Sequence, residues 1–96
     1  MVTSTLDELQ GPVSGVIELP NRLLWRPNRT VDLNDAWSLG WMYALVLREA
    51  HGREDLREWI NGEVLMQLWP ELNLPRGVRQ AWEDVHPELR TMRAAA

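Results

Sequence analysis

The sequence predicts an all-α protein, a compact four-helix domain preceded by an extended arm or a short β-hairpin. Three observations predict it. The segment Asp35 to His51 is apolar with helical spacing. Val78, Ala81, Trp82 and Val85 recur at i, i+3, i+4 and i+7, an amphipathic stripe. Between these stretches stand residues that stop and start helices. A chain of 96 residues makes one domain with one core and little surplus stability.

Residues 1–15 are rich in Thr, Ser, Gly and Pro without periodicity, and read as a flexible N-terminal tail. Leu6 and Leu9 would make at most one helical turn, which is unstable alone in water. A single helical domain is expected over 16–89. It begins with an extended arm, Val16 to Trp25, because Pro20 excludes a central strand and drives Leu19 out of helical geometry. Arg26-Pro27-Asn28-Arg29 is a turn signal, and Thr30 to Leu33 is a second extended piece able to pair with the first. A lone hairpin of this kind is marginal without a helix to lie on.

Asn34 is the expected N-cap of the first helix, Asp35 to His51, with Gly52 as a left-handed stop. Glu54 to Ile60 reads as a short helix with Glu54, Asp55 and Glu58 outward and Leu56, Trp59 and Ile60 inward. Asn61-Gly62 breaks it, and Glu63 to Trp69 is the third helix, ended by Pro70. Glu71 to Leu74 is extended. Pro75 opens the last helix, which runs to about Val85 and is closed by His86-Pro87. Residues 90–96 are expected as a frayed C-terminal tail.

The first helix is the most informative. On a helical wheel Leu39, Met42, Tyr43, Val46, Leu47 and Ala50 cover one broad face. Trp37, Trp41 and Leu45 form a second stripe, with Ala36, Gly40 and Ala44 between the two. A helix apolar nearly all round is normally buried nearly all round, which a domain of this size struggles to achieve. Two readings stay open. Either the arm Val16 to Trp25 closes over Trp37 and Trp41, or the stripe meets a partner protein or a second copy of the chain.

Composition narrows the function classes. The net charge is -4 and the pI near 5.1, which opposes general nucleic-acid binding and suits a basic partner. No apolar run approaches the roughly 18 residues of a membrane span, and no secretory signal opens the chain. With no cysteine, a cytoplasmic address is the default expectation. Catalysis finds no support: there is no Cys or Lys nucleophile, no metal-ligand pair and no phosphate-cradling loop. His51 and His86 each close a predicted helix, where His favours the dipole. The carboxylates of Glu54, Asp55, Glu58, Glu83 and Asp84 read as solvated helix faces. No enzyme activity, cofactor or metal is therefore expected. Arg76, Arg79, Arg90 and Arg93 form the one basic concentration, able to meet phosphates, an acidic protein surface or solvent. The candidate partner-binding residues are Trp37, Trp41, Leu45, Arg76 and Arg79.

Three stretches carry a family resemblance: Leu19-Pro20 through Leu24-Trp25; Met42-Tyr43 with Val46 to Ala50; and Leu68-Trp69-Pro70 through Leu72, Leu74-Pro75, Val78-Arg79 and Ala81-Trp82-Glu83. In that order they resemble small actinobacterial proteins encoded beside nucleotidyltransferase-like toxins of the AbiEii type. The similarity covers about residues 16–89, and its motifs are core and turn residues rather than a catalytic signature. The resemblance implies an antitoxin-like role, a small acidic protein that binds and restrains a partner enzyme. Two rival readings come from other classes. Glu54 to Ile60 followed by Glu63 to Trp69 has a helix-turn-helix outline, as in a small DNA-binding regulator, although its second helix offers Glu63 and Gln67 and no Arg. The other rival is a structural homodimer or phage accessory protein.

Overall fold

The computed structural model describes residues 2–21, 23–24 and 27–95, with the backbone alone at 92–95. Trp25 and Arg26 of the expected arm and turn lie outside the described residues. The order of elements is β1 (Val16–Glu18), β2 (Thr30–Asp32), α1 (Ala36–Glu49), α2 (Arg53–Trp59), α3 (Gly62–Leu68), a 3-10 turn (Trp69–Glu71), α4 (Arg76–Val85) and α5 (Pro87–Ala95).

This corrects the all-α, four-helix expectation. The fold is a mixed helix-plus-hairpin domain with five α-helices among the described residues. β1 and β2 pair antiparallel with Ile17 opposite Val31. Leu33 N–H to Gly15 O (2.8 Å) and Leu19 N–H to Arg29 O (2.9 Å) extend the ladder at its two ends. Gly15, at φ 88°, sits in the left-handed region that an L side chain rarely adopts. The hairpin is part of the core because Val31 and Leu33 are buried and β2 packs on α1. That packing supplies the support an isolated hairpin lacks.

α1 starts one residue later than expected. Asp35, not Asn34, is its N-cap, accepting from Ser38 N–H at 3.0 Å and from the Ser38 hydroxyl at 2.7 Å. These bonds hold the Asp35 carboxyl below its ordinary range. The helix ends at Ala50 with no left-handed residue, and Gly52 is extended (φ -166°) at the head of α2. Asp55 explains the difference. It is buried, not outward, and its carboxylate accepts the His51 N–H at 3.0 Å, satisfying the backbone of the link from its far side.

The N-terminal tail is a second correction. Residues 6–11 run along the α2–α3 junction, and Thr3 lies against His86. Gly11 N–H donates to Ile60 O (2.9 Å) and Gly62 N–H to Leu9 O (2.8 Å), forming a bridge between Gln10 and Asn61. A side chain on Gly11 would stand 2.5 Å from the Trp59 carbonyl carbon, and one on Gly62 would fall on the Leu6 carbonyl oxygen. Both glycines are therefore needed for the close approach. Leu9 and Thr3 are buried, and Glu8 pairs with Arg57 at 3.1 Å. Although partial burial works against it, the bonds from Arg57 and Thr5 keep the Glu8 carboxyl below its usual range. Backbone bonding and single anchors hold this segment, so it needs no periodic apolar face.

The C-terminal half also departs from its pattern. Residues 90–95, expected to fray, continue α5, which covers the 3-10 turn and α3 through buried Leu89. On α4 Trp82 is buried as expected, but Ala81 and Val85 are exposed and Glu83 is buried. The helix is rotated because Trp69, fully buried, gives its indole N–H to Glu83 at 2.9 Å. His86 is buried rather than a solvated helix end. Its Nε2 lies 2.9 Å from Thr3 O, and its ring is 5.6 Å from that of Trp82.

Candidate docking groove

The buried face of α1 anchors the helix through Met42, Tyr43, Val46 and Leu47. Tyr43 also accepts the Asn61 N–H at 2.9 Å through its hydroxyl, tying α1 to the α2–α3 link. Burial raises the Tyr43 pKa, partly offset by that bond.

The other stripe divides along its length. Leu45 is 7% exposed and belongs to the core. Trp41 is half-buried against that core. Trp37 is 74% exposed. The stripe is thus neither wholly closed nor wholly open: its exposure rises from Leu45 through Trp41 to Trp37, toward the N-terminal end of α1. Beside Trp37 lies a groove of about 650 Å³. Ala36, Gly40, Ala44 and Arg48 form its floor along α1, and Leu68, Glu71, Leu72 and Asn73 form the facing wall. Small side chains on the floor make the groove, since a larger residue at Gly40 would stand up into it.

Arg76 and Arg79 do not line this groove. Arg79 is half-buried and works inside the fold. Its guanidinium donates to Trp69 O at 3.1 Å and to Leu72 O, and lies 5.0 Å from the Trp69 ring. It holds the 3-10 turn and the following loop in place, and so positions the groove wall. Arg76 is exposed on the first turn of α4, beside a shallow depression of about 270 Å³ shared with Arg79, Gln80, Glu83 and Arg90. Buried Glu83 on the lining and Asp84 paired with Arg90 at 3.2 Å offset the positive charge there.

Comparison with protein-family models, curated proteins and solved structures finds no match.

Among the described residues, no three His, Asp or Glu side chains gather as a metal site would require. No described helix is long and apolar enough to cross a membrane. Sequence reasoning found the Trp37 and Trp41 side of the groove through helical spacing. It missed the wall, Leu68 to Asn73, and the place of Arg48 in the lining. The wall reaches α1 only through the tertiary fold, and its exposed members carry no periodic signal.

Proposed function

We propose that this chain is a non-catalytic protein-binding module that docks its partner in the α1 groove. The observation that carries the reading is the exposure of Trp37 beside a floor of small residues that ends in Arg48. A tryptophan three-quarters exposed keeps a large apolar area in water that a partner would cover. Aromatic anchors in such settings dominate binding energy. The groove also sits on the longest helix, whose opposite face is fixed by the core, so docking there requires no rearrangement of the fold.

Within this class, the resemblance over residues 16–89 makes a nucleotidyltransferase-type toxin the first partner to test, with this chain as the antitoxin-like member of the pair. The DNA-binding reading lacks a supporting observation. α2 and α3 are seven residues each, and α3 presents Glu63 and Gln67 to solvent.

The test is co-expression with a nucleotidyltransferase-type toxin of the AbiEii kind, followed by calorimetry on the purified pair. Binding is expected, and Trp37→Ala is expected to weaken it by about 2 kcal/mol or more. An enzyme that neither binds the chain nor loses activity in its presence rejects the antitoxin role. Binding that is indifferent to Trp37→Ala rejects the groove.

A further inference from the structure

We propose that the outer edge of β1 takes up an extended segment of a partner protein as a third, antiparallel strand, and that this segment alternates basic with apolar residues. The surface is separate from the α1 groove, whose lining includes no residue of the hairpin strands.

The register decides which backbone groups are open. In an antiparallel pair, residues that exchange hydrogen bonds alternate with residues whose N–H and C=O point away from the partner strand. Leu33 N–H bonds to Gly15 O, Leu19 N–H bonds to Arg29 O, and Ile17 stands opposite Val31. The exchanging positions of β1 and its flanks are therefore Gly15, Ile17 and Leu19, and the N–H and C=O groups of Val16 and Glu18 point outward. Among the described residues, none of these outward groups has a hydrogen-bond partner. The other edge of the hairpin is different. On β2 the Asn28 side chain takes the Thr30 N–H at 3.1 Å, and Asp32 O accepts the Asp35 N–H at 3.1 Å. The chain thus blocks the outer edge of β2 with its own groups and leaves that of β1 open. Val16 is 68% exposed and Glu18 is exposed too, so the edge is accessible. An open strand edge is a template for a further strand.

The two faces of the hairpin set the chemistry of that strand. Val16, Glu18, Thr30 and Asp32 share the outward face, because side chains alternate along a strand. Ile17 and Val31 share the inward face, where Val31 is buried. An added strand continues both faces through its cross-strand pairs. On the outside it meets the carboxylates of Glu18 and Asp32, which basic side chains complement. Arg29 stands 4.0 Å from Glu18, but its Nε donates to Leu19 O at 2.9 Å, and the Glu18 side chain keeps most of its surface in water. On the inside an apolar residue beside Ile17 lengthens the apolar row. A second copy of β1 fits less well: turned antiparallel about Ile17, it sets Val16 against Glu18 and places no basic residue opposite either carboxylate. Gly15, at φ 88°, and Pro20, which has no N–H, bound the open stretch, so the pairing is short and the binding weak and rapidly exchanging.

Amide NMR titration and hydrogen exchange on the full chain test the proposal with three capped peptides. One alternates arginine and valine, the second alternates glutamate and valine, and the third is the first with its arginine amides N-methylated, which removes the N–H groups that would pair with β1. The arginine peptide is expected to shift the amide signals of Val16 and Glu18 first and to slow their exchange. The glutamate peptide and the methylated peptide are expected to do neither. Glu18→Arg is expected to weaken the arginine peptide at least about fivefold and to gain binding of the glutamate peptide, with an unchanged melting temperature because the side chain is exposed. The methylated peptide needs no variant, so the test stands even if Glu18→Arg unfolds. An arginine peptide that does not bind overturns the proposal, as does binding indifferent to N-methylation or to Glu18→Arg in its folded form. Shifts confined to Trp37 and Gly40 also overturn it and return peptide binding to the groove. Protection of the Val16 and Glu18 amides that grows with protein concentration, without peptide, puts a second copy on the edge and rejects the partner strand.

Discussion

The indole N–H of Trp69 donates to the carboxylate of Glu83 at 2.9 Å, and neither side chain is open to solvent. This bond joins the 3-10 turn to α4 and sets which side of α4 faces inward. A buried donor left without an acceptor costs about 1–3 kcal/mol. Glu83→Ala is therefore expected to destabilise the protein by about that amount in urea denaturation. Glu83→Gln keeps an acceptor oxygen and is expected to cost less. Equal losses from the two would show that charge, not the bond to Trp69, is what Glu83 contributes.

The N-terminal segment yields a prediction opposite to that of a detached tail. Gly62→Ala drives a methyl group onto the Leu6 carbonyl oxygen, and overpacking of this kind costs about 1–3 kcal/mol. Deleting residues 2–12 removes Leu9 and Thr3 from the interior and exposes the α2–α3 junction, and should lower the melting temperature clearly. An unchanged melt after the deletion would return these residues to the status of a tail.

Asp35 gives a pH dependence whose sign is fixed. Its folded pKa is depressed by the bonds from the Ser38 hydroxyl and N–H. A depressed carboxyl contributes stability that is present above its unfolded value, ordinarily 3.8, and is lost as pH falls through the folded value. At neutral pH Asp35→Ala is expected to melt lower than the wild type, and the gap should narrow as pH drops below 3.8. A gap constant down to acid pH would mean that the carboxylate charge plays no part in the cap.

Trp37 and Trp41 are neighbours on one stripe with different expected costs. Trp37→Ala removes an exposed side chain, so folding stability should change by no more than about 0.5 kcal/mol. Trp41 is half-buried against the core, and its replacement by alanine should cost more, yet less than the roughly 3–5 kcal/mol of a fully buried aromatic. Paired chemical denaturation curves check the order. A larger loss at Trp37 would show that the groove is closed within the chain.

The sequence by itself determined the helical character of the chain and most of the helix boundaries, because helical spacing, Pro75 and the Asn61-Gly62 break act locally. It also marked the two extended pieces that pair as β1 and β2 and the double-sided apolar character of α1. Its all-α class failed because helical spacing cannot show whether a short hairpin is accessory or, as here through Val31 and Leu33, part of the core. The tertiary structure alone decided the rest. Asp55, Glu83 and His86 look like surface residues in the sequence, and each is buried because a polar atom far along the chain or across a turn satisfies it. Residues 2–12 lack periodicity because backbone bonds to Ile60 and Gly62 and irregularly spaced anchors such as Leu9, not a helical apolar face, hold them. The groove needed both kinds of information. Its floor was legible in the four-residue spacing of α1, and its wall was not, since only the approach of the 3-10 turn to α1 places Leu68 and Leu72 opposite Gly40.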